Sequence, residues 1–237
     1  SSATSEVAMP APAIEHLPMA QPRRYVPPSC DCGDWPQVEP LFLKLEAQAS
    51  GLRNSKELIR WILNASELAS ALMQEEACRY IRMTCQTDDP AAEKAYLHFI
   101  EEIEPRAKPR WQNLQKLYLA NPHRGKLPRN RWLVYDRETR KDVELFRDEN
   151  IPLQTEEAKL QQRYQKIMGA MTVNFRGREM TLQQLGRFLE EPERALREEA
   201  WVALTARRLR DKEQIEECYD KLLDLRGRIA RNAGFDN

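Results

Sequence analysis

Residues 54–72, NSKELIRWILNASELASAL, decide the fold class. Leu58, Trp61, Ile62, Ala65, Leu68 and Leu72 recur at three- and four-residue spacing, which puts them on one side of an α-helix. Asn54 precedes Glu57 by three, a capping-box arrangement in which each side chain satisfies a backbone N–H left orphaned at the helix start. The helical pattern continues through Tyr80 and Ile81, so a long amphipathic helix is predicted whose apolar stripe needs partners.

Those partners are read by moving outward. Before this stretch, Val38, Leu41, Phe42 and Leu45 fall at helical spacing after Pro36, and Gly51 can stop that helix. Further back, residues 1–33 run through Ala, Pro and Ser, then Arg23-Arg24-Tyr25 and Pro27-Pro28, without an apolar period. They read as a flexible lead-in to a helical region spanning 34–237. On the other side, Thr87-Asp88-Asp89-Pro90 signals a helix start, because short oxygen-bearing side chains cap free N–H groups and proline fits the first turn. Pro105 should end or kink that helix and Pro109 open the next, up to Asn121-Pro122. Residues 122–135 are basic and irregular and read as the longest loop, followed by a short helix at 137–148. Thr155 with Glu156 and Glu157 is expected to cap a further helix.

One β signal interrupts the helices. Val173 and Phe175 alternate with polar residues, and Arg176-Gly177 can form a tight turn, so a small hairpin is expected near 172–180. Thr181 and Gln184 form a capping box for the next helix, Pro192 opens a long one, and Asp211 with Gln214 starts the last, which carries Ile215, Cys218, Tyr219, Leu222, Leu225 and Ile229 on one face. Consecutive helices joined by short turns imply antiparallel neighbours, giving an all-α fold with one hairpin.

Composition agrees with that class. Only 8 of 237 residues are Gly, and charged residues make up 31% of the chain. Lys plus Arg equals Asp plus Glu at 37 each, so no net field steers the chain to nucleic acid or an anionic membrane. No apolar run approaches the roughly 20 residues that cross a bilayer, and the expected compartment is cytoplasmic. The five cysteines are unevenly scattered, unlike a secreted disulfide framework, and reduced thiols are expected. Cys30-Asp31-Cys32 offers two thiolates, but a tetrahedral site needs two more ligands that nothing nearby supplies.

Catalytic constellations are missing from the sequence. H-E-x-x-H, which sets two imidazoles one helical turn apart beside a general base, does not occur, and His16, His98 and His123 share no ligand spacing. No nucleophile elbow or glycine-rich phosphate loop is present. The adjacent acids Glu101-Glu102 and Glu190-Glu191 point in different directions on a helix and read as solvated faces, as does the ridge of Arg207, Arg208 and Arg210. No catalytic or metal-binding residue is therefore assigned. Met168, Met171 and Met180 cluster about the hairpin, which reads as core packing or as an adaptable apolar surface where an extended peptide can touch a strand edge.

Several stretches resemble a known family. Residues 83–90 (MTCQTDDP) and 94–105 (KAYLHFIEEIEP), then Gly169 to Val173 leading into Thr181 to Leu185, Glu191 to Arg194, and Arg228 to Phe235, are similar to the N-terminal half of oligoendopeptidase F-type zinc metallopeptidases of the thimet-oligopeptidase-like group. The resemblance spans about Trp35 to Asn237. It implies a non-catalytic half forming one wall of a deep channel that admits short peptides, with Met171, Val173 and Phe175 as substrate-channel residues. It also implies that zinc, its ligands and the general base belong to a C-terminal catalytic half, joined covalently or separate, so that this chain alone is inactive. The alternative reading is a non-enzymatic helical protein-interaction module.

Overall fold

The computed structural model describes residues 23–236. Helices α1 (Trp35–Ala49), α2 (Ser55–Cys85), α3 (Pro90–His98), α4 (Glu104–Ala120) and α5 (Arg129–Leu145) are followed by α6 (Asn150–Gly169). The hairpin β1 (Thr172–Phe175) and β2 (Arg178–Thr181) leads to α7 (Leu182–Gly186), α8 (Arg194–Arg210) and α9 (Lys212–Asn232). The fold is all-α with one small antiparallel hairpin, as the sequence implies.

The predicted stripe of α2 is the floor of the main core. Leu58, Trp61, Ile62 and Leu68 are buried against Val38, Phe42 and Leu45 of α1 and against Leu114 and Tyr118 of α4. The Trp61 indole N–H donates to the Leu45 carbonyl at 2.9 Å, so the largest side chain of the stripe buries no unpaired donor. Asn54 caps α2 by accepting from the Glu57 N–H at 3.0 Å, but Glu57 returns to the Arg53 N–H, one residue earlier than a closed capping box requires.

The lead-in reading needs correction in part. Residues 1–22 lie outside the described residues, whereas Tyr25, Val26 and Cys32 are buried in the main core. The reason is polar: a single Glu67 carboxylate oxygen on α2 accepts from the N–H groups of Arg24, Tyr25 and Val26, each at 2.8 Å. Local periodicity cannot reveal an anchor supplied by a residue 41 positions away. Cys30 is half-buried and Cys32 buried, and burial, then the neighbouring Cys30, pushes the Cys32 thiol up to about 11.

Three further boundaries differ from expectation. Pro105 does not end its helix: the path from Pro90 to Ala120 is continuous through a π-turn at Phe99–Ile103, where the Glu104 N–H reaches five residues back to Phe99. The wider turn puts Pro105 in the first turn of α4, the helical position where proline is best tolerated. Pro109 lies inside α4 rather than opening a helix. The loop expected at 122–135 is shorter, since α5 starts at Arg129 directly after Pro128, with a 3-10 turn at Arg124–Lys126 before it. The basic residues that disguised α5 lie on its exposed side, while Trp132 and Thr139 are buried. Helix α6 begins at Asn150, and Thr155, expected as its cap, donates to the Ile151 carbonyl within the helix. Asn150 is instead held across the fold, donating to the Ile229 carbonyl at 3.1 Å and accepting from Asn232 at 2.7 Å.

Helix α9 ends as Gly234 allows. With φ of 91°, Gly234 lets its own N–H reach Arg231 and the Phe235 N–H reach Ala230, closing the last carbonyls. Its expected start differs: Asp211 makes no side-chain cap and its carboxylate instead takes Arg207.

Burial pushes the Glu67 carboxyl up, but its three N–H donors and nearby Arg23 outweigh that and hold it below the ordinary glutamate range. A depressed carboxyl contributes its stability above the unfolded-chain value of about 4.3 and loses it as pH falls through the folded value. Glu67→Gln should therefore lower stability in urea by about 1–2 kcal/mol at neutral pH. It should also flatten the loss of stability that the unaltered chain shows below about pH 4.3, and equal pH profiles would contradict the anchoring role.

Candidate functional site

The hairpin is built by a two-residue turn. Arg176 at φ 51° and Gly177 at φ 78° both take the left-handed conformation that matches strand twist in the tightest hairpins. Register follows, with Phe175 opposite Arg178 and Val173 opposite Met180. Alternation then sends Phe175 and Met180 inward to a small second core with Leu185 and Ala200 and leaves Asn174 and Glu179 exposed on the other face, while Arg178, opposite Phe175 beside the turn, is exposed beyond the edge of that core.

The three residues singled out from the sequence are thus not equivalent. Met171 and Phe175 are fully or nearly fully buried, so they support the hairpin from within and present no surface to a ligand. Val173 is half-buried and packs on the edge of the second core. Phe175 meets Phe188 with ring centroids 5.1 Å apart, and Arg176 lies over the Phe175 ring while pairing with Glu199 of α8 at 2.6 Å. The Arg207 guanidinium donates to the Thr172 carbonyl at 3.2 Å, occupying the outer edge of β1 at that end. Arg207, read as part of an exposed ridge, is therefore a clamp between α8 and the hairpin. The exposed side of the hairpin is carried by Asn174, Glu179 and the turn.

Of the acids dismissed as catalytic pairs, Glu101 and Glu102 have ordinary partners. Glu101 pairs with Lys159 at 3.0 Å, and Glu102 pairs with Arg106 at 2.7 Å. Among the described residues, no three His, Cys, Asp or Glu side chains gather as metal ligands, and His98 and His123 stand on different elements. Among the described residues, no helix is long and apolar enough to cross a membrane.

Two surfaces were missed by sequence reasoning. An apolar groove of about 270 Å³ lies between α2, α4 and α5, lined by Trp61, Trp111, Leu114 and Tyr135. On α8, Trp201, Val202 and Leu209 are more than half exposed, Leu209 falling about 20° from Val202 and about 80° from Trp201 around the helix. Tyr219 and Leu223 of α9 are exposed as well, so Tyr219 leaves the buried stripe predicted for it, where only Cys218 and Leu225 are buried. The signal was present as apolar residues on two sides of these helices, but which side is covered depends on tertiary packing.

Phe175→Ala should cost about 3 kcal/mol, the usual loss for emptying an aromatic site. Hydrogen exchange should show that loss in the hairpin, α7 and α8, with α1 to α4 still protected by the separate main core. Equal deprotection of α1 to α4 would show that the two cores are one cooperative unit.

Residues 31–146 match the family described as the Peptidase M3 N-terminal domain. The fold is similar to that of a PZ peptidase A solved with an inhibitor, with a TM-score of 0.79 at 24% identity over 86% of this chain and 36% of that one. It is also similar to a structure named for oligoendopeptidase F, with a TM-score of 0.77 at 24% identity over 86% of this chain and 36% of that chain. Another of that name, from Bacillus anthracis str. Ames, has a TM-score of 0.77 at 22% identity over 86% of this chain and 37% of its own. A comparison with curated protein sequences finds no match. The chain spans little more than a third of the length of these solved relatives. The resemblance read from the sequence is thus supported: residues 31–146 match the Peptidase M3 N-terminal domain, and the chain is folded like part of structures named for oligoendopeptidase F.

Proposed function

We propose that this chain is the non-catalytic, N-terminal part of a zinc-dependent oligoendopeptidase, and that it forms one wall of the channel through which short peptides reach the metal. The observation that carries this reading is the fold likeness over 86% of this chain, which accounts for only 36% of the similar structures. The remainder of such a fold would supply the zinc ligands and the general base, because the described side chains offer no ligand cluster. The hairpin, clamped to α8 by Arg176 and Arg207, is a rigid lip on that wall. Its exposed Asn174 and Glu179 offer backbone and side-chain groups to an extended peptide.

The exposed face of α8 supports the same division of labour. A contiguous set of Trp201, Val202 and Leu209 is a costly feature on a surface left open to water, and becomes stabilising when another apolar surface covers it. The catalytic half, covalent or separate, is the partner proposed for it.

The purified 237-residue chain is expected to give no chelator-sensitive cleavage of internally quenched short peptides, and such cleavage would overturn the reading. At high concentration it should self-associate and bind an apolar dye. Trp201→Glu combined with Leu209→Lys should abolish both, and a clean monomer without dye binding in the unaltered chain would argue against a covered face.

A further inference from the structure

Cys30-Asp31-Cys32 places two thiols side by side, and neither takes part in the peptidase reading. Residues two apart lie within about 7 Å of one another at the α-carbon even when extended, and a bend brings them inside the range that a disulfide spans. Here the pair sits between two turns: the Cys30 N–H donates to the Pro27 carbonyl at 3.0 Å, and the Asp34 N–H to the Asp31 carbonyl at 3.2 Å. The Cys32 thiol lies within hydrogen-bonding reach of the Cys30 sulfur.

Neighbouring helices hold this loop in place. The Gln37 side chain of α1 accepts the Asp31 N–H at 3.0 Å, and the Asp31 carboxylate takes the Gly33 N–H at 2.8 Å. Arg79 of α2 lies against Gly33, where an added Cβ would fall 1.6 Å from its Nη2, so only glycine leaves it room. The same guanidinium donates through Nη1 to the Ala95 carbonyl of α3 at 2.8 Å.

Access separates the two thiols. Cys32 is 3% exposed, whereas Cys30 is half-buried with its sulfur 3.9 Å from the Gln37 carbonyl. Burial, then Cys30 itself, keeps the Cys32 thiol protonated at neutral pH. An oxidant therefore meets Cys30 first, with Cys32 and its proton waiting behind. Cys78 and Cys85 are exposed, but two helical turns of α2 hold them about 10 Å apart, too far to bond each other.

We infer that Cys30 and Cys32 form a reversible modification site, in which a hydroperoxide oxidises Cys30 and Cys32 closes the disulfide. In the first step the Cys30 sulfur takes the terminal peroxide oxygen, the O–O bond breaks, and the departing oxygen carries away the Cys30 proton as water or an alcohol. In the second, the Cys32 sulfur displaces the sulfenic hydroxyl, the S–S bond forms, and the hydroxyl leaves with the Cys32 proton as water. The two sulfurs lose two electrons in all, and the peroxide bond accepts them. A ring closed over three residues constrains the unfolded chain little, so the bond is a switchable modification and not a staple. This inference rests on the segment before α1 and its contacts with α1 and α2, and does not depend on the peptidase reading.

The test treats the full chain with hydrogen peroxide at a near-stoichiometric dose, then unfolds it, labels free thiols with N-ethylmaleimide and digests it with trypsin. The peptide of residues 25–44 carries Cys30 and Cys32 and no other cysteine. It is expected to lose two hydrogens and refuse the label, roughly tenfold or more faster than Cys78 or Cys85 loses its own label, because the closing step is intramolecular. Dithiothreitol should restore both labels. Cys32→Ala should stop Cys30 at a sulfenic acid that dimedone traps, and Cys30→Ser, at a partly exposed position, should leave Cys32 reduced. A 25–44 peptide that stays labelled while Cys78 and Cys85 are oxidised overturns the inference, as does separate conversion of Cys30 and Cys32 to sulfinic acids.

Discussion

The structure depends on one aromatic contact set. Phe42 of α1 has no solvent exposure and lies between Trp35 of its own helix and Trp111 of α4, whose ring meets it edge-on with centroids 4.7 Å apart. Trp61 of α2 then locks to the α1 carbonyl of Leu45. Two consecutive helices and a third farther along the chain are thus aligned by aromatic rings, which bury large apolar areas. Arg110 secures the same junction at its rim, reaching Glu39 at 2.8 Å and Glu46 at 3.2 Å. The rim pairs set orientation, while the buried rings supply most of the free energy, because partly exposed ion pairs contribute little.

Away from that junction the interior thins. The second core has Phe175, Met180, Leu185 and Ala200 as its buried members, and α8 gives it one of these, Ala200, with Leu196, Ala203 and Leu204 packed against it only partly buried. Helix α9 is held mainly along α6, through Cys218, Leu225 and the Asn150 to Asn232 link. A small core beside exposed Trp201, Val202 and Leu209 means that the C-terminal helices have apolar surface to spare on their outer side. The similar structures are longer, and this chain spans little more than a third of their length.

How much of this was legible in the sequence differs by mechanism. Helix stripes, the Thr181 and Gln184 capping box, the Arg176-Gly177 turn and the Gly234 stop were readable because each is decided by residues within a turn of one another. The anchoring of residues 24–26 by Glu67, the start of α6 at Asn150 and the passage of a helix through Pro105 were not, because each rests on a distant partner or on a π-turn that no propensity announces. For the candidate site, the hairpin and its turn were legible, but the burial of Met171 and Phe175 was not: apolar alternation says that one face is covered, not whether protein or ligand covers it.

Net charge shows the same limit in electrostatic form. Equal numbers of acids and bases over the whole chain exclude a long-range field, yet charge acts over roughly 10 Å at ordinary salt. Within that range, α5 opens with Arg129 and Arg131 before any acid appears, and its first acid, Asp136, is consumed by Arg124 and Arg140. Arg137 is likewise answered by Glu138 at 2.9 Å. The first turn of this helix therefore carries basic side chains with no acid among them, a local imbalance that the chain-wide balance of charge conceals.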